Sequence, residues 1–220
     1  MKPTLLAGLM VIAVAGAANA AQVTVYSGPY QYGGGGEFNA SPSAFPFNPV
    51  ALTNSGLFET FCLELSEHLS FGTTYNVSFG PDAVGGGNGG GSPDPLSNET
   101  AYLYYQFITG NLNYNYADAG GTRILDAGAL QAAIWQLEDE DLASNVVSGG
   151  QLTQALAWIS DAQNAVLGGW LNNDKILVMN LFSDDGTNNQ SLLVAQVPMP
   201  AASAFGLVGL GLVAARRRRA

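Results

Sequence analysis

The chain of 220 residues is long enough for one good-sized domain with terminal sorting segments. It is rich in apolar residues (47%) and poor in charged ones (11%), which is common in exported proteins and unusual in cytosolic ones. All 17 acidic residues lie in the body of the chain, where the only basic residues are Arg123 and Lys175. So acidic a body repels phosphate backbones, which excludes nucleic-acid binding and makes neutral glycans or divalent cations more suitable neighbours.

The first twenty residues predict a secretory signal peptide. Lys2 is their single basic residue, the apolar run extends from Leu5 to Ala18, and Ala18-Asn19-Ala20 has the small-x-small pattern of a cleavage site. Cleavage after Ala20 leaves a mature body that begins at residue 21.

The body, residues 21–196, predicts short strands on either side of a helical middle. Strands are expected at 23–26, 57–65, 74–79, 175–182 and 191–197, and helices at 97–107, 126–138 and 152–166, the second capped by Asp126. The strands at 57–65 and 74–79 are expected to form a hairpin. Two segments, 33–49 and 85–92, are rich in glycine or proline and predict an irregular surface loop and a solvated linker. This order gives a single α+β domain with a β-sheet or barrel-like core of short antiparallel strands and about three helices.

The C-terminal segment, residues 197–220, combines a proline motif, an apolar run at 201–215 and an arginine cluster. A helix of fifteen residues spans about 22 Å, less than the roughly 30 Å of a bilayer's hydrocarbon core. Snorkelling arginines make up part of the difference, and the positive-inside rule keeps them in the cytoplasm. The segment therefore predicts a minimal transmembrane anchor with the body outside. Its signal residues are Val197, Pro198, Met199, Pro200, Arg216, Arg217, Arg218 and Arg219.

This combination resembles the PEP-CTERM sorting signal of Gram-negative bacteria. The resemblance implies transient anchoring in the inner membrane, cleavage near the proline motif by an exosortase, and delivery to the cell surface or extracellular matrix. Met199 stands where that family usually has glutamate, which puts efficient processing in question. A plain C-terminal anchor that is never cut is the alternative.

The only cysteine of the chain is Cys62. An exported protein with one cysteine cannot close an internal disulfide, so Cys62 is inert core, pairs with another molecule, or is chemically capped. By the alternation of a strand, Phe61, Leu63 and Leu65 share one face, and Thr60, Cys62 and Glu64 the other.

Two short motifs, Phe61-Cys62-Leu63-Glu64 and Leu130-Gln131-Ala132-Ala133-Ile134-Trp135, resemble the thioester domains of bacterial surface proteins. Ala132 departs from the polar residue usual at its position. The resemblance implies a crosslink between the side chains of Cys62 and Gln131, with Phe61, Glu64 and Trp135 around it. Such a bond needs a Cys62 thiol of lowered pKa, groups that polarise the Gln131 carbonyl, and burial that excludes water. It is electrophilic, and acylates an amine or hydroxyl.

Other chemistries have less support. His68 follows Cys62 by six residues, about 20 Å along an extended strand, so a Cys–His pair requires the strand to end early and fold back. No second histidine exists, which excludes a His-rich metal centre. The acidic run from Glu138 to Asp141 is expected to be a solvated face rather than a weak calcium site. No carboxylate spacing indicates a glycosidase, and neither an enzyme activity nor a cofactor is predicted.

The sequence therefore predicts an exported, surface-sorted protein of an exopolysaccharide or biofilm layer. Its expected partners are an exosortase-type processing enzyme and, as attachment target, an extracellular polysaccharide or a surface protein. The alternative is a passive structural matrix or adhesion protein in which Cys62 is an unmodified core residue.

Overall fold

The computed structural model describes residues 20–53 and 55–196. Nearly all of the predicted signal peptide and the whole predicted sorting segment, including Val197 to Pro200 and Arg216 to Arg219, lie outside the described residues. Within the described part of the chain, no helix is both long and apolar enough to cross a membrane.

The described part of the chain forms the strands β1 Gln22–Tyr26, β2 Gln31–Tyr32, β3 Gly35–Gly36, β4 Phe38–Ser43, β5 Phe58–Thr60, β6 Thr74–Gly80, β7 Asp82–Ala83, β8 Asp94–Pro95, β9 Ile176–Phe182 and β10 Asn188–Ala195. Six of them form an antiparallel main sheet in the order β10-β9-β6-β1-β4-β5, and two small hairpins pair β2 with β3 and β7 with β8. With the helices described below, this confirms the predicted α+β fold.

The sheet curls into a half-barrel until its two edges meet beyond the end of β5. There Cys62 pairs with Leu192 of β10 in an isolated antiparallel bridge. The Leu63 N–H donates to the Ser191 carbonyl at 2.9 Å, and the Leu193 N–H donates to the Phe61 carbonyl at 3.2 Å. The lone cysteine thus lies at the point where the curled sheet closes.

Four helices cover one face of the sheet: α1 Asn98–Ile108, α2 Arg123–Leu137, α3 Ala143–Val146 and α4 Gly149–Leu167. The Oγ atom of Ser97 caps α1 by accepting the Thr100 N–H at 3.1 Å. Helix α2 begins at Arg123, three residues before the predicted cap, and Asp126 instead accepts the N–H of Asn115. All of 127–135 is buried, so α2 is a central helix whose alanines let its neighbours approach closely.

Both faces of the sheet are buried, which gives the domain two apolar clusters. The helix-side core holds Phe61 and Leu63 with the buried faces of the helices. The inner core, inside the curl, holds Val23, Val25 and Cys62 among others. The predicted alternation of side chains between the two faces is therefore confirmed from Phe61 to Leu63. Leu65 was expected on the same face as Phe61 and Leu63, but it packs against the inner core.

The predicted hairpin of 57–65 with 74–79 is wrong. Strand β5 ends at Thr60 and pairs with β4, while β6 lies between β1 and β9. Strand β4 falls in the segment predicted as an irregular loop, because its Pro42 and serines conceal a pairing with β1 that depends on long-range contacts. Helix α3 is also an addition to the prediction.

Candidate functional site

The carboxamide of Gln131 fills a gap where β4 and β5 separate. Phe38 pairs with Thr60, so an unbroken ladder would bring Gly36 opposite Cys62. Instead the Gln131 Oε1 atom accepts the N–H groups of Gly36 and Cys62, both at 3.1 Å, and its Nε2 atom donates to the Cys62 carbonyl at 2.8 Å. The two motif residues, 69 positions apart, are thus in direct contact, with the carboxamide against the residue that carries the thiol.

The β2–β3 hairpin holds Gln131 from the other side. A Cβ atom on Gly35 would lie 2.6 Å from Cγ of Gln131 and 2.7 Å from the ring of Trp135, so only glycine fits. Gly36 has a φ of +99°, in the region that favours glycine. These two glycines belong to a run that the sequence predicts as surface loop, yet both are buried against the site.

The Cys62 thiol is buried, with 4% of the residue exposed. Burial raises its pKa, and the nearby Glu64 and Glu67 carboxyls raise it further. The lowered thiol pKa that favours bond formation is therefore not provided by these surroundings, because Cys62 has apolar and acidic rather than basic neighbours.

Phe61 and Trp135, the two aromatic residues of the motifs, are both buried. Phe61 is fully buried and packs edge-to-face on Phe107, with ring centroids 5.2 Å apart. Trp135 is 5% exposed and lies in the inner core together with Cys62. Gln131 itself is 1% exposed, so the carboxamide lies in a site from which bulk water is excluded.

Glu64 is buried beside Cys62, and its Oε2 atom has no hydrogen-bond partner among the described residues. Burial raises its pKa to about 8, with further contributions from Glu140 and Glu67. Burial likewise raises the pKa of Glu138 to about 7. The prediction that the acidic run forms a solvated face is therefore wrong for Glu138 and Glu140, because both residues are buried.

The glycine-rich segment 85–91 covers these carboxyls. The N–H groups of Asn88 and Gly89 donate to Oε1 of Glu140, and the Leu65 N–H donates to its Oε2 atom at 2.7 Å. A Cβ atom on Gly87 would collide with the carboxylate oxygens of Glu64 and Glu140. Residues 87–91 are exposed, as predicted for a solvated loop, and the sequence did not predict that the inner side of this loop covers an acidic cluster.

A cavity of about 230 Å³ opens beside the thiol. His68 lines the same cavity, because the strand ends at Thr60 and the chain folds back. The separation of about 20 Å between Cys62 and His68 that an extended strand would give therefore does not apply. The lining residues are Gln31, Gly34, Phe38, Cys62, Glu67, His68, Leu69, Phe71 and Gln190.

Sequence reasoning missed a buried ion pair next to Gly36. Arg123 donates from Nε to Oε2 of Glu37 at 3.0 Å and from Nη2 to Oε1 at 2.6 Å. The Tyr114 hydroxyl donates to Oε2 of Glu37 at 2.7 Å, and the guanidinium lies 4.3 Å from the ring centroid of Tyr30. The available signal was that Arg123 is the only arginine of the body, in a strongly acidic chain.

Among residues 20–53 and 55–196, no group of three or more histidine, cysteine, aspartate and glutamate side chains is arranged to hold a metal ion. Comparison with models of known protein families, with curated proteins and with solved structures gives no match.

Proposed function

We propose that the chain is an exported, surface-sorted protein of an exopolysaccharide or biofilm layer, which attaches covalently through a thioester between Cys62 and Gln131. The observation that carries the proposal is the pair of N–H groups, from Gly36 and Cys62, on the Oε1 atom of Gln131. Two fixed donors on one carbonyl oxygen are the arrangement that stabilises the oxyanion formed when a nucleophile attacks that carbonyl.

Closure of the bond balances without an outside reagent. The Cys62 sulfur attacks Cδ of Gln131, the two N–H groups hold the oxyanion at Oε1, and Nε2 leaves as ammonia with the thiol proton. One S–C bond forms and one C–N bond breaks. The hydrogen bond from Nε2 to the Cys62 carbonyl supports this course, because it fixes the carboxamide with Oε1 toward the donors.

A group must carry the proton, because burial keeps the thiol neutral. Glu67 is suited to this, since it lines the cavity beside Cys62. Burial raises the pKa of Glu67, which makes its carboxylate a stronger base than a solvent-exposed one.

The product is used by transfer to a partner. An amine or hydroxyl attacks the thioester carbonyl, an amide or ester to the Gln131 side chain forms, and Cys62 leaves as a thiol. The cavity beside Cys62 supports access for such a nucleophile. Lys175, the one lysine of the described residues, donates from Nζ to the carbonyls of Leu171 and Asn172 and does not line the cavity.

Intact mass of the purified protein tests the proposal. A closed bond lowers the mass by one ammonia, about 17 Da, and methylamine then adds its own mass and frees a thiol. Cys62→Ala should abolish both changes. The proposal would be contradicted if the protein had the mass of the unlinked chain and the Cys62 thiol could be alkylated after denaturation.

The second candidate is a passive structural matrix or adhesion protein with an unmodified Cys62. The raised thiol pKa favours it, and so do the three hydrogen bonds of the Gln131 carboxamide, which give this buried glutamine a structural use of its own. The mass measurement separates the two candidates, because only the first loses ammonia.

The sorting part of the proposal rests on the sequence of residues 1–20 and 197–220. Expression in a Gram-negative host with and without an exosortase tests it. The expected result is a host-dependent loss of the arginine cluster, seen as a shortened C-terminus by mass. Replacing Met199 by glutamate should increase the cleaved fraction if this position limits recognition, and equal C-termini in both hosts would indicate a plain anchor.

A further inference from the structure

We propose that the buried Glu37–Arg123 ion pair is a positioning device for the Cys62–Gln131 reaction: it holds the Gly36 N–H on the carbonyl oxygen of Gln131. The inference rests on the proposed function and adds to it two residues that neither motif contains.

The ion pair joins the two elements that must be aligned. Glu37 follows Gly36 directly in the chain, and Arg123 lies on α2, two helical turns before Gln131. The donor and acceptor of the Gly36–Gln131 hydrogen bond are therefore each tied to one end of the same salt bridge. Motion of the β2–β3 hairpin away from α2 would break both contacts together.

The geometry makes this link stiff. The guanidinium contacts both Glu37 oxygens at once, and this two-point contact fixes orientation as well as distance. Its third arm, Nη1, donates to the Tyr116 carbonyl at 2.8 Å. Glu37 is 3% exposed and Arg123 is 7% exposed, so water does not compete for these bonds.

The cost of the arrangement also points to positioning. A buried ion pair contributes little net stability compared with apolar residues of similar size. Gly36 is held by its pairing with Gln31 in the short β2–β3 hairpin, and the adjacent ion pair fixes this hairpin on α2.

The test measures closure of the bond separately from folding. Ammonia cleaves the thioester of the purified protein and regenerates the free thiol of Cys62 and the carboxamide of Gln131. After the ammonia is removed, intact mass follows the re-formation of the bond. Glu37→Gln and Arg123→Lys should slow closure by about 10- to 100-fold, because a loosely held Gly36 N–H stabilises the oxyanion at Oε1 of Gln131 less well. Asn172→Ala is the matched control, since it breaks comparable hydrogen bonds at the start of β9, away from Gly36.

A second readout addresses position alone. In a Cys62→Ala background no bond forms, and amide hydrogen exchange of Gly36 reports its hydrogen bond to Gln131. Exchange should accelerate with Glu37→Gln and stay unchanged with Asn172→Ala. Should Glu37→Gln fail to fold, Arg123→Lys and the milder Tyr114→Phe carry both measurements, with a smaller effect expected for Tyr114→Phe.

The outcomes separate the two claims. If the bond closes as fast in the ion-pair variants as in the wild type, the inference is overturned and the proposed function is retained. Unchanged Gly36 exchange likewise overturns the inference. Absence of closure in the wild type overturns the proposed function itself, and with it the catalytic meaning of the ion pair.

Discussion

The side chain of Gln131 takes the place of a neighbouring strand for Cys62. On one side, Phe61 and Leu63 bond to β10, so the N–H and C=O of Cys62 point to the other side. There the carboxamide supplies both an acceptor and a donor, and also reaches the N–H of Gly36. A planar amide offers its acceptor and its donor side by side, as a backbone peptide does, and this suits glutamine to the gap in the sheet.

Gln131→Ala should therefore destabilise the fold as well as prevent the bond. It leaves the N–H groups of Gly36 and Cys62 and the Cys62 carbonyl buried without partners, which costs about 1–3 kcal/mol for each group that water cannot reach. With three such groups, we expect a loss of at least about 3 kcal/mol in the free energy of unfolding. Urea unfolding in a Cys62→Ala background measures this without interference from a crosslink.

The exposed Gln163 on α4 gives the matched control for that substitution. Gln163→Ala should change the free energy of unfolding by less than about 0.5 kcal/mol. Equal effects at positions 131 and 163 would contradict the structural part of the argument.

Local periodicity explains what the sequence could predict. Val23 and Val25 alternate into the inner core, and β9 is apolar apart from Asn180, so both strands could be predicted from local pattern. The two thioester-like motifs drew attention to Cys62 and Gln131, and the structure brings these residues together. Their bond stays a prediction.

The rest depended on contacts between distant segments. Strand β4 contains Pro42, and its pairing with β1 and β5 is set by the curl of the sheet rather than by local pattern. Gly36 donates to Gln131 because β4 and β5 separate, and no residue near this point indicates the separation in the sequence. His68 entered the Cys62 cavity because the strand stopped at Thr60, a boundary that an unbroken apolar alternation concealed.

Gly35→Ala should destabilise the site by steric overlap. The new Cβ atom would lie 2.6 Å from Cγ of Gln131 and 2.7 Å from Trp135, so the hairpin or the helix must shift, at a cost of about 1–3 kcal/mol. Thermal unfolding and intact mass should both respond, with a lower melting temperature and a smaller closed fraction. Gly34→Ala is the matched control, because nothing lies within 4 Å of its Cβ position.

Stability should fall as the pH rises from about 5 to 9. The folded-state pKa values of Glu64, about 8, and Glu138, about 7, lie above the ordinary value of 4.5. Below pH 4.5 both carboxyls are protonated in the folded and unfolded chain, so their full contribution is present. Above it the unfolded chain ionises first, and stability is lost until the folded pKa is passed. Melting temperature against pH measures this.

Glu64→Gln should flatten that pH profile, because it removes the ionisable group while keeping the shape of the side chain. The exposed Asp185 provides the control, because hydrogen bonds from Thr187 lower the pKa of its carboxyl, so Asp185→Asn should leave the slope between pH 5 and 9 unchanged. A stability that rises over this pH range would contradict the raised pKa values of the buried carboxyls.

The cavity beside Cys62 should select nucleophiles by size. Phe71 lines it, is 43% exposed, and packs on Phe38 with ring centroids 5.3 Å apart, so it narrows the route to the thioester. Phe71→Ala should speed opening by benzylamine roughly tenfold relative to opening by methylamine, since methylamine already fits. Release of the Cys62 thiol, followed with a chromogenic disulfide, measures both rates. Leu156→Ala removes a similarly exposed apolar side chain, 46% exposed, that does not line the cavity, and it should leave the ratio unchanged. A ratio that stays constant in Phe71→Ala would mean that the nucleophile reaches the bond by another route.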